Sequence, residues 1–256
     1  MSEFKNVSIL LGVVTETESL RQTVKTILRI CDHKDLREII IDYPQHAAPE
    51  SIRVIHELAK QEDDVPIVTF MQKRKGVSGI IDMIDAARGS HCILAASDLA
   101  LDLECIPIMI EKAKKNPNRI ISSSRWLKGC KFYGYAPLKK AVNYLGQFFL
   151  RFLFHVKLTD LTNPYQIVPT KIYQSIHFEC EDFPVMIEMV LKPLRLGCQF
   201  EEIPTNCYGR TQGKSSNSFL QTARFLPVAL HIRFTKKEKL LTDPGSFSLL
   251  KDQMQK

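Results

Sequence analysis

Short apolar runs alternate with segments of helical periodicity along the first half of the chain, and this alternation constrains the fold most. The first run, residues 7–14, is nearly continuous and rich in β-branched residues, as in a strand buried on both faces. Similar runs lie at 38–42, 66–70, 91–96 and 119–123. Apolar residues at helical spacing between them predict four helices, and the unit repeats about every 25 to 30 residues. Strands joined through helices in this way must be largely parallel.

This pattern predicts an α/β fold with a single three-layer, Rossmann-like nucleotide-binding domain and a mostly parallel sheet. The second half of the chain is less regular. It is predicted to contain helices over 134–156, 184–196 and 219–234 and a strand over 199–204.

Charge and cysteine content narrow the class of protein. The 35 Lys and Arg against 28 Asp and Glu give a formal charge of +7, which suits nucleic acid, nucleotide phosphates or an anionic membrane surface. The 7 cysteines form no C-x-x-C pair and no leader-like segment precedes the first strand, so we expect a reduced, intracellular protein without a structural metal. The aromatic run 148–154 is too short to span a bilayer.

Polar residues follow the predicted strands at the sheet edge where ligands of such folds bind. Glu16 follows the first strand and Asp42 ends the second, while Asp98 follows the fourth and Arg125 the fifth. Three carboxylates and a guanidinium should therefore converge at one edge. Each of them alone is also explained as a loop or helix-capping residue, but their equivalent positions favour a binding site.

Eight short motifs occur in an order that resembles a known enzyme family. They occupy residues 12–20, 40–43, 94–99, 124–129, 133–140, 159–165, 188–204 and 210–216. Ser124 to Gly129 is similar to S-R-Y-x-x-G, and Arg210 to Ser216 is similar to R-x-x-G-x-S-K. Together they resemble the family 2 glycosyltransferases, most nearly the polyprenyl-phosphate sugar synthases of the dolichyl-phosphate mannose synthase type. The resemblance implies the glycosyltransferase A type of fold.

The same resemblance implies which residues form the donor site and where the domain begins and ends. The nucleotide-sugar site would comprise Val13, Glu16, Asp42, Ser97, Asp98 and Lys214, with Asp98 as the ligand of Mg²⁺ or Mn²⁺. The chain departs from the family at Tyr43, Ala96 and Ser216, where Asp, Asp and Lys are usual. The glycosyltransferase-like domain would cover 1–217, with a nucleotide-binding half (1–128) and an acceptor half (129–217), followed by a C-terminal amphipathic helix and basic tail (218–256).

Glycosyl transfer needs positive charge near the departing diphosphate, because the anomeric carbon passes through an oxocarbenium-like transition state. The candidate catalytic residues are Asp98, Asp160, Arg125 and Arg210. Guanidinium groups suit bidentate contact with phosphate. A hydroxyl acceptor would require a carboxylate base, for which Asp160 is the candidate.

A lipid-phosphate acceptor is already an anion and would need basic residues in place of a base. The candidates are Lys139, Lys140 and Arg151, on a helix whose aromatic face would meet a polyprenyl chain or a bilayer surface. Core packing of the aromatic residues and a solvated face for the lysines is the alternative explanation.

The sequence thus predicts an inverting, metal-dependent hexosyltransferase that moves a sugar from a nucleoside-diphosphate sugar to an acceptor, with polyprenyl phosphate expected. Because the Q-x-x-R-W signature of processive members is absent, one sugar per encounter is expected. We expect the protein to be cytoplasmic and peripheral at the cytosolic membrane face. The alternative is a catalytically degenerate relative that binds a nucleotide or a partner; nucleic-acid binding is not expected, because no recognition pattern accompanies the basic residues. The sequence leaves the sugar, the base and the oligomeric state open.

Overall fold

A seven-stranded sheet forms the centre of the computed structural model, which describes residues 3–61, 63–134, 136–208, 224–243 and 245. The strands are β1 (Val7–Gly12), β2 (Leu36–Tyr43), β3 (Ile67–Met71), β4 (His91–Ala96), β5 (Ile120–Ser124), β6 (Gln166–Pro169) and β7 (Phe200–Pro204). Their spatial order is β3-β2-β1-β4-β6-β5-β7. Only β6 runs antiparallel to its neighbours, β4 and β5. The predicted α/β fold with a mostly parallel sheet is therefore confirmed.

Helices cover both faces of the sheet. They are α1 (Glu18–Ile30), α2 (Pro49–Ala59), α3 (Gly79–Ala86), α4 (Cys105–Lys115), α5 (Pro137–Phe154), α6 (Thr170–Ser175), α7 (Val185–Leu196) and α8 (Phe225–Phe234). Alternate side chains of a strand point to opposite faces. Ile9 and Ile39 accordingly join the core with α1, α2 and α4, whereas Leu10 and Ile40 join the core with α3, α6, α7 and α8. This double burial explains the continuous apolar runs in the sequence.

The second half agrees with the sequence in its long helices and differs in one region. Helices α5 and α7 lie within the predicted ranges, and α8 occupies the described part of the predicted last helix. Strand β6 and the short helix α6 were not predicted. All seven cysteines are free thiols. Within the described ranges no helix is both long enough and apolar enough to cross a membrane.

Helix α5 carries apolar side chains on two faces. Leu150 is buried in the core beside Gln147, whereas large apolar side chains on another face are exposed: Leu138, Leu145, Phe148 and Phe152. Residues spaced by three, four or seven positions share one face of a helix, so these four form a stripe. The stripe points away from both cores, and no described part of the chain covers it.

Candidate active site

The ends of β1, β2 and β4 lie side by side. They bring together three residues predicted for the nucleotide-sugar site, Val13, Asp42 and Ser97. Gly12 is in register with Asp42 on one side and Ala96 on the other. The N–H of Val13 donates to the Asp42 carbonyl oxygen at 2.9 Å, and the Ser97 hydroxyl donates to the Gly12 carbonyl oxygen at 2.7 Å. These contacts fix the backbone around the predicted nucleotide site.

Glu16 turns back on its own loop. One carboxylate oxygen, Oε2, accepts the backbone N–H groups of Val14 at 2.8 Å and Thr15 at 3.0 Å. The side chain therefore shapes the loop after β1, as the loop-residue explanation expects. A hydroxyl-bearing ligand would have to approach the other oxygen.

Asp42 is a buried carboxylate with an unusual environment. Among the described residues, its Oδ2 atom has no hydrogen-bond partner. A Cβ atom built on Gly79, at the start of α3, would lie 2.6 Å from that oxygen, so the absence of a side chain there makes room for the carboxylate. Desolvation, with a smaller contribution from the nearby Asp82, raises the pKa of Asp42 to about 7.

The raised pKa of Asp42 predicts a specific pH dependence of stability. Between the ordinary pKa of an Asp and about 7, the folded protein holds a proton that the unfolded chain releases, so this group lowers the free energy of unfolding as pH rises. We expect Asp42→Asn to remove that contribution, so that the stability difference between variant and wild type shifts in favour of the variant by about 2–3 kcal/mol from pH 5 to pH 8. Urea unfolding at the two pH values measures it. A constant difference would contradict the assigned environment.

Asp98 follows β4 in a sharp turn. Its carboxylate is buried, and Oδ1 accepts the N–H of Ala100 at 3.0 Å. The intervening Leu99 has a φ of 60°, a left-handed conformation that is uncommon for a non-glycine residue and often marks a functional turn. In the described ranges, no group of three His, Cys, Asp or Glu residues is arranged to hold a metal. Any cation here would rest on Asp98 together with ligands from a bound substrate.

Arg125 and Asp160 form a second, mostly buried centre beyond β5. The guanidinium group makes a two-pronged ion pair, with Nε 2.7 Å from Oδ2 and Nη2 2.9 Å from Oδ1 of Asp160. The Arg125 backbone N–H also donates to Oδ2. Gln147 of α5 donates to Oδ1 at 3.1 Å. Both oxygens of Asp160 are thus engaged by donors.

Glu202 of β7 holds the loop that carries Asp160. Its carboxylate accepts the backbone N–H groups of Thr159 and Asp160 and the Thr159 hydroxyl. Burial raises the pKa of Glu202, against the lowering effect of these hydrogen bonds. The Ser124 and Thr159 hydroxyls meet at 2.5 Å and connect the end of β5 to the same loop.

An aromatic cluster that was not predicted from the sequence lies between the loop of Asp98 and the loop that follows Arg125. The rings of Tyr133 and Tyr208 stack with centroids 5.3 Å apart, and Trp126 contacts Phe132 and Tyr144. The N–H of Tyr208 donates to the Ala100 carbonyl oxygen, two residues beyond Asp98. The N–H of Tyr133 donates to the Cys207 carbonyl oxygen. The backbone thereby joins the loop of Asp98 to the loop after Arg125.

The predicted acceptor residues on α5 separate into two groups. Lys140 lies in the first turns, with Nζ 4.5 Å from the centre of the Phe132 ring, and Lys139 is its neighbour. Arg151 is 11 positions beyond Lys140 and so lies about 16 Å further along the helix. Arg210 and Lys214 lie outside the described residues.

The model of the family described as Glycosyl transferase family 2 matches residues 8–193. The chain belongs to this family. The matched region of this family 2 glycosyltransferase contains the ends of β1, β2 and β4, the Arg125–Asp160 pair and all of α5.

Solved structures share the fold of this family 2 glycosyltransferase. Glucosyl-3-phosphoglycerate synthase from Mycobacterium tuberculosis, in complex with Mn²⁺, UDP and phosphoglyceric acid, has a TM-score of 0.68 at 13% identity over 91% of this chain and 80% of that one. Its complex with Mg²⁺ and UDP has a TM-score of 0.66 at 14% identity, over 90% and 79%. These structural matches confirm the fold, and neither they nor the family model singles out the polyprenyl-phosphate branch.

Proposed function

We propose that the protein is an inverting glycosyltransferase that moves a sugar from a nucleoside-diphosphate sugar to a polyprenyl phosphate. Membership of the family and the joined ends of β1, β2 and β4 support the donor class. The neighbour with the same fold binds UDP. A polyprenyl phosphate is held in a bilayer, so this function takes place at a membrane surface.

The donor would bind across Val13, Asp42, Ser97 and Asp98, with Glu16 shaping the loop above them. A divalent cation fits this site only as a partner of the donor, because Asp98 is one carboxylate and Ala96 supplies none. Mg²⁺ commonly takes one or two carboxylates and completes its shell with phosphates and water. Bound there, Mg²⁺ or Mn²⁺ would neutralise charge on the leaving diphosphate.

The engagement of Asp160 is the observation that carries the acceptor class. A general base needs an oxygen that can take a proton from the acceptor. Both oxygens of Asp160 instead accept hydrogen bonds from Arg125, and Oδ1 also accepts one from Gln147. An acceptor that is already an anion needs no base, and a phosphate meets that condition.

The surrounding cations would then hold the two phosphates that meet at the anomeric carbon. Asp160 orients Arg125, whose guanidinium group would contact one of these phosphates. Lys140, at the start of α5 and next to the Phe132 ring, would attract the acceptor phosphate. By resemblance, Arg210 and Lys214 would contact the donor diphosphate.

A second candidate function is supported by the changed motifs. Ala96 and Tyr43 stand where the family usually has carboxylates. A protein of this kind would bind a nucleotide without transferring sugar.

Turnover assays separate these functions. Purified protein is mixed with UDP-, GDP- and dTDP-sugars and Mn²⁺, and with a short-chain polyprenyl phosphate in detergent, phosphoglyceric acid or no acceptor. We expect mass spectrometry to find the sugar on the polyprenyl phosphate alone. Sugar on phosphoglyceric acid would contradict the acceptor class. Thermal stabilisation by a nucleotide without any product would favour the second candidate, since a ligand at 100 times its Kd adds about 2.7 kcal/mol.

A further inference from the structure

We infer that helix α5 docks on an anionic lipid membrane through its exposed apolar stripe. The inference rests on the proposed function, because docking on a membrane would bring the proposed lipid-phosphate acceptor to the site. Leu138, Phe148 and Phe152 are 76%, 69% and 72% exposed. Together with Leu145 they extend over most of an 18-residue helix, which is about 27 Å long.

A different face of α5 supplies its contacts with the rest of the protein, so the stripe is not the core-facing side of the helix. On the buried face Leu150 joins the core, and Gln147 donates to Asp160 and Thr162 and accepts the N–H of Leu161 at 2.7 Å. Rotating the helix to bury its phenylalanines would break these bonds and expose the partners of the Arg125–Asp160 pair. The orientation of α5 is therefore fixed by these bonds and by the burial of Leu150, and no described part of the chain covers its apolar stripe.

The charges around the stripe indicate what that surface is. Helix α5 contains Lys139, Lys140 and Arg151 and no acidic residue. An amphipathic helix with basic residues beside a phenylalanine- and leucine-rich face is typical of helices that lie in a membrane interface. Basic residues close to an anionic bilayer strengthen binding, and salt weakens their contribution.

A pocket at the C-terminal end of α5 adds two further cations. Phe154, Val156, Leu194, Arg195 and Arg233 line it. Nε of Arg233 donates to the Leu153 carbonyl oxygen at 2.8 Å, and Nε of Arg195 donates to the Arg233 carbonyl oxygen at 3.1 Å. These bonds hold both guanidinium groups in place, and among the described residues their terminal nitrogens have no hydrogen-bond partner. Such groups suit the phosphate of a lipid headgroup.

A second copy of the chain fits the same surface less well. A two-fold interface would set the stripe against itself and bring Lys139, Lys140 and Arg151 towards their own copies. Like charges brought together in an interface oppose association. An anionic bilayer accepts the phenylalanines and attracts the cations at the same time.

Vesicle co-sedimentation tests the inference with the whole protein and without donor or acceptor. We expect binding to phosphatidylcholine vesicles that contain about 30% phosphatidylglycerol, much weaker binding to phosphatidylcholine alone, and release at about 0.5 M NaCl. The double variant Phe148→Ser, Phe152→Ser should bind at least about tenfold less tightly. Ile108→Ser is the matched control, because Ile108 is an exposed apolar residue on α4, which packs on the other face of the sheet.

The outcomes separate docking from catalysis. Absent binding by the folded wild type, equal binding to both vesicle types, or equal loss in the Ile108→Ser control would overturn the inference. A dimer in light scattering that dissociates in the Phe148→Ser, Phe152→Ser variant would assign the stripe to a second copy. Failure of the proposed function would be seen in a different measurement, the turnover assay, as no product with a detergent-solubilised acceptor. That result would leave the vesicle binding unchanged.

Discussion

Asp98→Asn is expected to reduce sugar transfer by about a thousandfold or more, the largest effect of any single substitution in the donor site. Ala96 leaves Asp98 as the only carboxylate of its motif, so the motif holds no second Asp to replace it. Its position is set by the Leu99 turn and the Ala100 hydrogen bond, which asparagine can retain through its amide oxygen. The variant therefore loses the negative charge of the side chain and keeps the conformation of the turn. Initial rates with Mn²⁺ measure the effect.

Asp102→Asn is the matched control for this substitution. Asp102 lies in the same loop and accepts a hydrogen bond from Asn206, which an amide oxygen can also accept. We expect this control to keep its transfer rate within a few-fold of the wild type. Equal rates for Asp98→Asn and wild type, with both proteins folded, would remove Asp98 from the mechanism.

Asp160→Ala is expected to lower the free energy of unfolding by about 3–5 kcal/mol. The substitution leaves the Arg125 guanidinium in a mostly buried position without its carboxylate, and it also removes an acceptor from Gln147. Breaking one side of a buried ion pair costs more than the pair contributes, because the remaining charge stays desolvated. Urea denaturation of both proteins gives the difference.

The double variant Arg125→Met, Asp160→Leu shows whether the loss comes from the stranded charge. Removing both charges should restore most of the stability that Asp160→Ala loses. Transfer should remain low in the double variant, because Arg125 is absent. A double variant as unstable as Asp160→Ala would show that packing, and not charge, causes the loss.

The role of Asp160 in the reaction has its own readout. As a positioning residue, Asp160 should leave the shape of the pH–rate profile unchanged when it is replaced by asparagine, although the rate falls. A general base would instead contribute a limb of that profile, and the limb would disappear in Asp160→Asn.

The first half of the fold could be predicted because its strands are buried on both faces. Runs such as Ile39 to Ile41 have no polar alternation. In the segments between these runs, apolar residues recur at helical spacing. Strand β6 escaped prediction because it has only four residues, begins with the buried polar Gln166 and ends in Pro169. Its place between β4 and β5 depends on long-range pairing, which no local pattern carries.

The placement of the candidate site residues along the sheet could be predicted better than their pairings. Asp42 ends a predicted strand, and Asp98 and Arg125 follow predicted strands, which predicts that all three lie at one sheet edge. The Arg125–Asp160 contact joins residues 35 positions apart across an irregular segment, and no sequence spacing encodes it. Periodicity likewise predicted that α5 is amphipathic, but which face is outward depends on long-range contacts, namely the bonds of Gln147 and the burial of Leu150.

The antiparallel strand β6 makes the two halves of the chain inseparable. It comes from the second half, yet its neighbours β4 and β5 both come from the first, so the sheet is continuous only when both halves are present. A fragment ending at residue 128 would carry a gap between β4 and β5, with unpaired backbone groups along both edges. Two fragments cut at that point should therefore be unable to fold alone and should regain structure when mixed. Substitution or shuffling between relatives would have to exchange this strand together with its neighbours.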